Sequence, residues 1–199
     1  MKERILEGAL DLFSRYGQSK VRMEEIAAYI NISKKTIYNH YKNKTTLFEE
    51  AVQYYTTALV SRMQEIMDDD SKDFAAKFHE FLSYSYLELG RKDSPFFEDM
   101  HMYNKRLEDA PIPYVQKKLA GFISSFIDTA KEEGNISKDI ETVNTTYVFL
   151  NVMRGITSWD FRDRLPLSRV EILRSTIKII LEGLLTDKGR QVLGESLDE

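Results

Sequence analysis

The chain has 199 residues with 9 Gly, 4 Pro, no Cys and 12% aromatic side chains. That length holds one large domain or two smaller ones, the scarcity of turn residues excludes a fold of many short strands, and the lack of cysteine excludes disulfides, thiolate nucleophiles and Cys-based metal sites. The formal charge of −4 is unevenly spread: residues 1–47 carry nine Lys/Arg against five Asp/Glu, and the remainder carries 19 against 27. A +4 segment followed by a −8 segment implies two modules that meet different partners.

Taken in chain order, Ile5, Leu6, Ala9, Leu12, Phe13 and Tyr16 recur at helical spacing, and Gly17 follows as a left-handed terminator. Met23 to about Tyr29 reads as a short second helix, and Asn31 stands where the chain must turn, a position at which Asn tolerates the left-handed region. Ser33 is the N-cap of a third helix through Tyr41. Three helices in about 40 residues with a tight turn before the third form the helix-turn-helix plan.

Asn43 caps a long helix to about Met67, and Asp68-Asp69-Asp70-Ser71 interrupts it. Further helices are expected over 72–89, from Pro95, from the Pro111/Pro113 boundary to Gly134, from Glu141 to Trp159 and from Arg169 to Leu185. The last of these is apolar around more of its girth than one core-facing stripe needs, so the final two long helices are expected to pair with a second copy of the chain. The tail from residue 188 to 199 is polar and expected to fray. The longest run without a charged residue, Thr142 to Met153, is twelve residues, short of the about 20 that cross a bilayer, and no apolar leader follows Met1, so a cytoplasmic protein without a membrane partner is expected.

The segment from Ile32 to Lys44 holds four lysines, two tyrosines and a histidine but no acid. On a helix starting at Ser33, residues Lys34, Lys35, Tyr38 and Asn39 share a face away from Ile37 and Tyr41. Such a helix docks by its apolar side and presents donors to a major groove. Lys reaches guanine, Asn pairs with adenine, Thr36 touches a thymine methyl, and Tyr38 and Lys44 hold phosphates; Lys44 also opens the next helix, where the dipole favours an anion. His40 is assigned a packing or phosphate-side place.

These residues carry a resemblance. Ile5-Leu6-x-x-Ala9-x-x-Leu12-Phe13-x-x-x-Gly17, then Ile26-Ala27, then Ser33-x-x-Thr36-Ile37-Tyr38-x-His40-Tyr41-x-x-Lys44-x-x-Leu47-Phe48 resemble the DNA-binding region of the TetR family of bacterial transcriptional regulators. The chain departs from the family pattern at Asn31 and at Lys35, where Gly is usual, and at Arg22, where Thr or Ser commonly caps the second helix; Arg22 keeps a phosphate role. The resemblance implies an all-α protein with a DNA-binding domain over 1–47 and a helical effector-binding and dimerisation domain over 48–187. Its partners would be a double-stranded operator, a small-molecule effector and a second copy of the chain, with no cofactor.

Within that frame Tyr55, Phe78, Phe81, Tyr84, Phe97, Met100, Phe122, Phe126 and Tyr147 are candidates to line an apolar cavity, with Asn151 and Arg154 as its polar contacts. His79 and His101 stand alone, so no metal site is expected, and no nucleophile–base arrangement or phosphate-cradling loop supports an enzyme. The function implied is a repressor released from its operator by a largely hydrophobic ligand. The alternatives are a DNA-bound dimer answering to a protein partner and a transcriptional activator.

Overall fold

In the computed structural model, residues 1–106, 112–157 and 167–193 are described. They form the helices α1 (Lys2–Tyr16), α2 (Met23–Tyr29), α3 (Lys34–His40), α4 (Lys44–Asp68), α5 (Phe74–Gly90), α6 (Pro95–Arg106), α7 (Ile112–Glu132), α8 (Thr142–Thr157), α9 (Arg169–Leu184) and α10 (Asp187–Leu193). The expected end of the eighth helix at Trp159 lies outside the described residues.

The chain divides into two compact units, Met1–Val60 with Arg91–Val115, and Ser61–Gly90 with Gln116–Glu199. This differs from a single cut at residue 47, and the aromatic packing gives the reason. Phe48 of α4 meets Phe13 of α1 and Phe96 of α6 edge-on, each with ring centroids 5.7 Å apart, and Tyr55 lies 5.2 Å from Phe97. The core of the first unit therefore needs α6 and the first turns of α4 as well as α1 to α3.

Sequence explains the local geometry of this head. Ser33 Oγ accepts a hydrogen bond from the Thr36 amide at 3.0 Å and caps α3; Asn43 Oδ1 does the same for Thr46 at 2.9 Å and starts α4. Asn31 takes φ 55°, the left-handed turn expected of it. At Gly17, φ is 82° but ψ is 153°. This lies outside the left-handed helical region and in one that essentially only Gly populates, so the end of α1 depends on Gly more strictly than an ordinary left-handed terminator does. A Cβ on Gly8 would lie 2.2 Å from Cγ2 of Ile30, which shows how closely α1 approaches the end of α2.

In the second unit α5 and α7 to α10 surround a core that includes Phe74, Phe78, Leu82, Leu173, Ile177 and Leu181. The tail departs from the expected fraying as far as Leu193. Residues Asp187–Leu193 form α10, Leu193 is fully buried, and a Cβ on Gly189 would lie 2.1 Å from the Asn135 carbonyl oxygen. Thr186 donates its hydroxyl to the Gly134 carbonyl at 2.7 Å and Lys188 its ammonium to that of Glu133 at 2.6 Å. Residues 194–199 lie outside the description.

Candidate nucleic-acid interface and apolar cavity

The third helix is fixed from beneath. Ile37 and Tyr41 are fully buried, and the Tyr41 hydroxyl reaches Glu50 of α4 at 3.2 Å. Burial and that neighbouring carboxylate push the Tyr41 phenol up to about 12. The opposite side of α3 remains open: Lys35, Tyr38, Asn39 and His40 are exposed, and among the described residues no other side chain pairs with Lys35, Asn39 or His40. Thr36 is half-buried and shares its hydroxyl with Ser33 at 2.8 Å. Lys34 forms an ion pair with Glu24 of α2, and its ammonium lies 5.7 Å from the Tyr38 ring centroid.

Arg22 is the N-cap of α2, in extended conformation. A guanidinium accepts no hydrogen bond, so it cannot cap the helix. Glu25 compensates by accepting the Arg22 backbone N–H at 2.7 Å, the returning half of a capping box, and the Arg22 side chain stays exposed.

Lys44 departs from the expected geometry. Its ammonium donates to the carbonyls of Gln18 at 2.6 Å, Val21 at 2.9 Å and Ser19 at 3.3 Å. Three N–H donors are spent on three carbonyls, so the side chain ties the α1–α2 loop to the start of α4 instead of reaching outward to a phosphate. The same loop is held from the other side, where the Gln18 amide donates to Asp99 of α6. Arg4, not singled out in the sequence, donates to the Ile30 carbonyl and steadies the turn before α3.

A separate feature lies within the second unit. Four phenylalanines cluster with Phe126 at the centre, its ring centroid 4.7 Å from Phe74, 5.6 Å from Phe78 and 6.4 Å from Phe81. With Phe122, Phe149, Ile177 and Leu181 among others, they line a cavity of about 690 Å³ including its opening to solvent. Thr145 is the one lining residue with a polar side chain, and its hydroxyl already donates to the Glu141 carbonyl at 2.9 Å.

Of the residues expected at such a cavity, Phe78, Phe81, Phe122 and Phe126 line it. Tyr55, Phe97 and Met100 do not, because they belong to the core of the first unit. Tyr84 is not among the lining residues. Tyr147 is 62% exposed, and Asn151, also exposed, gives its amide to the Tyr147 carbonyl at 2.8 Å; Arg154 is exposed too. Tyr147 is two positions from Thr145, about 200° around the helix, so the cavity face of α8 carries Thr145 and Phe149 and the opposite face carries Tyr147 and Asn151.

The profile described as "Bacterial regulatory proteins, tetR family" matches residues 5–51, which span α1 to α3 and the start of α4. Along most of its length the chain is 27% identical to the HTH-type transcriptional regulator YhgD of Bacillus subtilis, over 92% of this chain and 96% of that one. The chain belongs to the TetR family.

Solved structures extend the likeness to the whole fold. A transcriptional regulator from Saccharomonospora viridis, solved in complex with choline, superposes with a TM-score of 0.72 at 16% identity, covering 93% of this chain and 97% of that one. SmeT, the repressor of the Stenotrophomonas maltophilia multidrug efflux pump SmeDEF, gives 0.67 at 15% identity, covering 94% and 91%. These relatives are regulators rather than enzymes.

In this TetR-family regulator the residues that sequence reasoning passed over are Glu24, Glu25, Arg4 and Asp99 in the head and Phe74, Phe149 and Ile177 in the cavity. The acids and Arg4 give no periodic signal, since each acts on backbone or on one partner across the turn. Phe74, by contrast, sits at helical spacing with Phe78 and Phe81 and was legible as part of that stripe. Among the described residues no helix is long and apolar enough to cross a membrane.

Proposed function

We propose that this TetR-family regulator is a dimeric cytoplasmic repressor that binds an operator through α3 and leaves it when a small, uncharged, hydrophobic molecule occupies the cavity. The observation that carries the reading is the pairing, in one chain, of an exposed cationic helix that docks by Ile37 and Tyr41 with a cavity walled by phenylalanine and aliphatic groups. Residues 1–47 hold the DNA-reading helices, with Arg22, Tyr38 and His40 on the backbone side of the contact, Lys35, Thr36 and Asn39 toward the bases, and Lys34 beside them in its ion pair with Glu24. Lys44 serves in this reading by setting the loop beside the contact. The helix α4, unbroken from Lys44 to Asp68, starts beside the DNA-reading helices and brings Met67 to the cavity wall, so it is the lever through which occupancy shifts the population away from the DNA-competent state.

The choice of an uncharged ligand follows from magnitudes. No lining residue is ionisable and the one hydroxyl is spent within its own helix. A cation entering would lose several kcal/mol of hydration with no counter-ion, while the phenylalanine faces would return about 2 kcal/mol. Exposed Val143, Tyr147 and Val148 on α8 and Ile179 on α9, the last 74% exposed, support dimerisation through these two helices, where the chains would form an isologous four-helix contact.

The test is a thermal-shift screen that sets neutral aromatic and aliphatic compounds against quaternary ammonium compounds of similar size, followed by operator release with any stabiliser. Stabilisation and release by neutral compounds are expected. Stabilisation by cations alone would overturn the ligand class, and stabilisation by nothing would favour the ligand-free dimer.

A further inference from the structure

The ion pair between Glu24 and Lys34 places an acid on the surface assigned to DNA. Glu24 stands on α2, two residues from Arg22, and its carboxylate reaches across to the first residue of α3. The Lys34 ammonium beside it, with Arg22 further off, holds this carboxyl below its usual range, and Glu24 in turn holds the Lys34 ammonium above its own. The two side chains are 65% and 44% exposed, so burial does not maintain the pair and it adds little to stability. Its consequence lies in charge. Lys34 is held between Glu24 and the Tyr38 ring, whereas Lys35 and Asn39, on the same helix, project without such partners.

We propose that Glu24 is an internal counter-ion that withholds Lys34 from the DNA backbone, so the head grips DNA of arbitrary sequence less tightly than its lysine content implies and selects its operator through Lys35 and Asn39. This rests on the reading of α3 as the DNA-facing helix. A cation that neutralises a phosphate releases condensed counter-ions and steepens the dependence of log K on log salt by about 0.9. A lysine already neutralised by a fixed carboxylate brings no net charge to that exchange. Because the specificity ratio is the operator affinity divided by the affinity for competing DNA, an acid that weakens the second term raises discrimination without touching a base.

The experiment is a fluorescence-anisotropy titration of the full-length protein onto a random-sequence duplex across a range of salt concentrations, for the wild type, Glu24→Gln and the double variant Glu24→Gln/Lys34→Gln. Melting temperatures are read for each, with Glu24→Ala as a second replacement. Glu24→Gln is expected to steepen the slope by about 0.9 per bound head and to tighten binding at low salt, and the double variant to return to the wild-type slope. If Glu24→Gln matches the wild type while the double variant is flatter by about 0.9, Lys34 leaves Glu24 on DNA and the proposal is overturned. Weaker binding by both folded Glu24 variants also overturns it, by making Glu24 a direct contact. Absence of salt-dependent binding in the wild type would instead remove the reading of α3 on which the proposal stands.

Discussion

The ammonium of Lys44 lies 2.6 Å from the carbonyl oxygen of Gln18, a residue 26 positions earlier in the chain. With the carbonyls of Ser19 and Val21 it completes a three-point tie that fixes the loop between α1 and α2. Lys44→Met is therefore expected to destabilise the protein by about 2 kcal/mol, the scale of hydrogen bonds made by a charged donor, as read by urea unfolding. Lys44→Arg, whose planar fork does not reproduce the ammonium's three directions, is expected to restore only part of the loss. A Lys44→Met protein with wild-type stability and a flatter salt dependence would return this residue to the phosphate contacts.

The turn before α3 depends on one backbone conformation. Asn31 has φ 55°, so Asn31→Gly is expected to be neutral or mildly stabilising and Asn31→Ala to cost about 1 kcal/mol. Equal stabilities for the two variants in chemical denaturation would show that the turn relaxes to a different geometry.

How much of this was legible in the sequence depends on how far each signal reaches. Ser33, Asn43 and Asn31 were readable because caps and left-handed turns are decided within three residues of the residue that makes them. The apolar stripes that carry Phe78 on α5 and Phe126 on α7 were each readable from their 3.6-residue period. That period does not say which core a stripe joins, and so it points Tyr55 and Phe97 to a cavity although both pack against Phe96 in the head. Lys44 shows the same limit for charge. A lysine at a helix start beside a basic helix reads as a phosphate ligand until the loop carbonyls 23 to 26 residues away are placed in space.

The cavity gives a further prediction. Phe126 is central to the phenylalanine cluster, and Phe126→Ala is expected to lower stability by about 3 kcal/mol while leaving α3 in place. Ligand-induced stabilisation should change more for this variant than for Tyr147→Ala, since Tyr147 lies on the exposed side of α8. Paired thermal-shift titrations measure both. A larger effect at Tyr147 would mean that the ligand site lies elsewhere.

The turn between α4 and α5 carries a prediction for acid stability. Lys72 and Ser71 hold the Asp69 carboxyl down at about 2, with Lys72 2.8 Å away and also bridged to Glu80 at 2.5 Å. A carboxyl depressed in the folded state contributes stability that is complete above its ordinary value near 4 and is lost as the pH falls toward 2. Asp69→Asn is therefore expected to lower the melting temperature slightly at neutral pH and to flatten its fall between pH 4 and pH 2, so that the two proteins become alike near pH 2. An unaltered acid limb would show that Asp69 is equally held in the unfolded chain.

The central claim is that the exposed face of α3 reads DNA sequence. The most direct measurement is the affinity of wild type and Asn39→Ala for two duplexes, one drawn from the DNA flanking the protein's own gene and one of scrambled sequence. Asn39→Ala is expected to lose about ten-fold or more on the first, the scale of one good base contact, with binding to the second and the melting temperature unchanged. Equal affinities of the two proteins for both duplexes, or an equal loss on both, would contradict it.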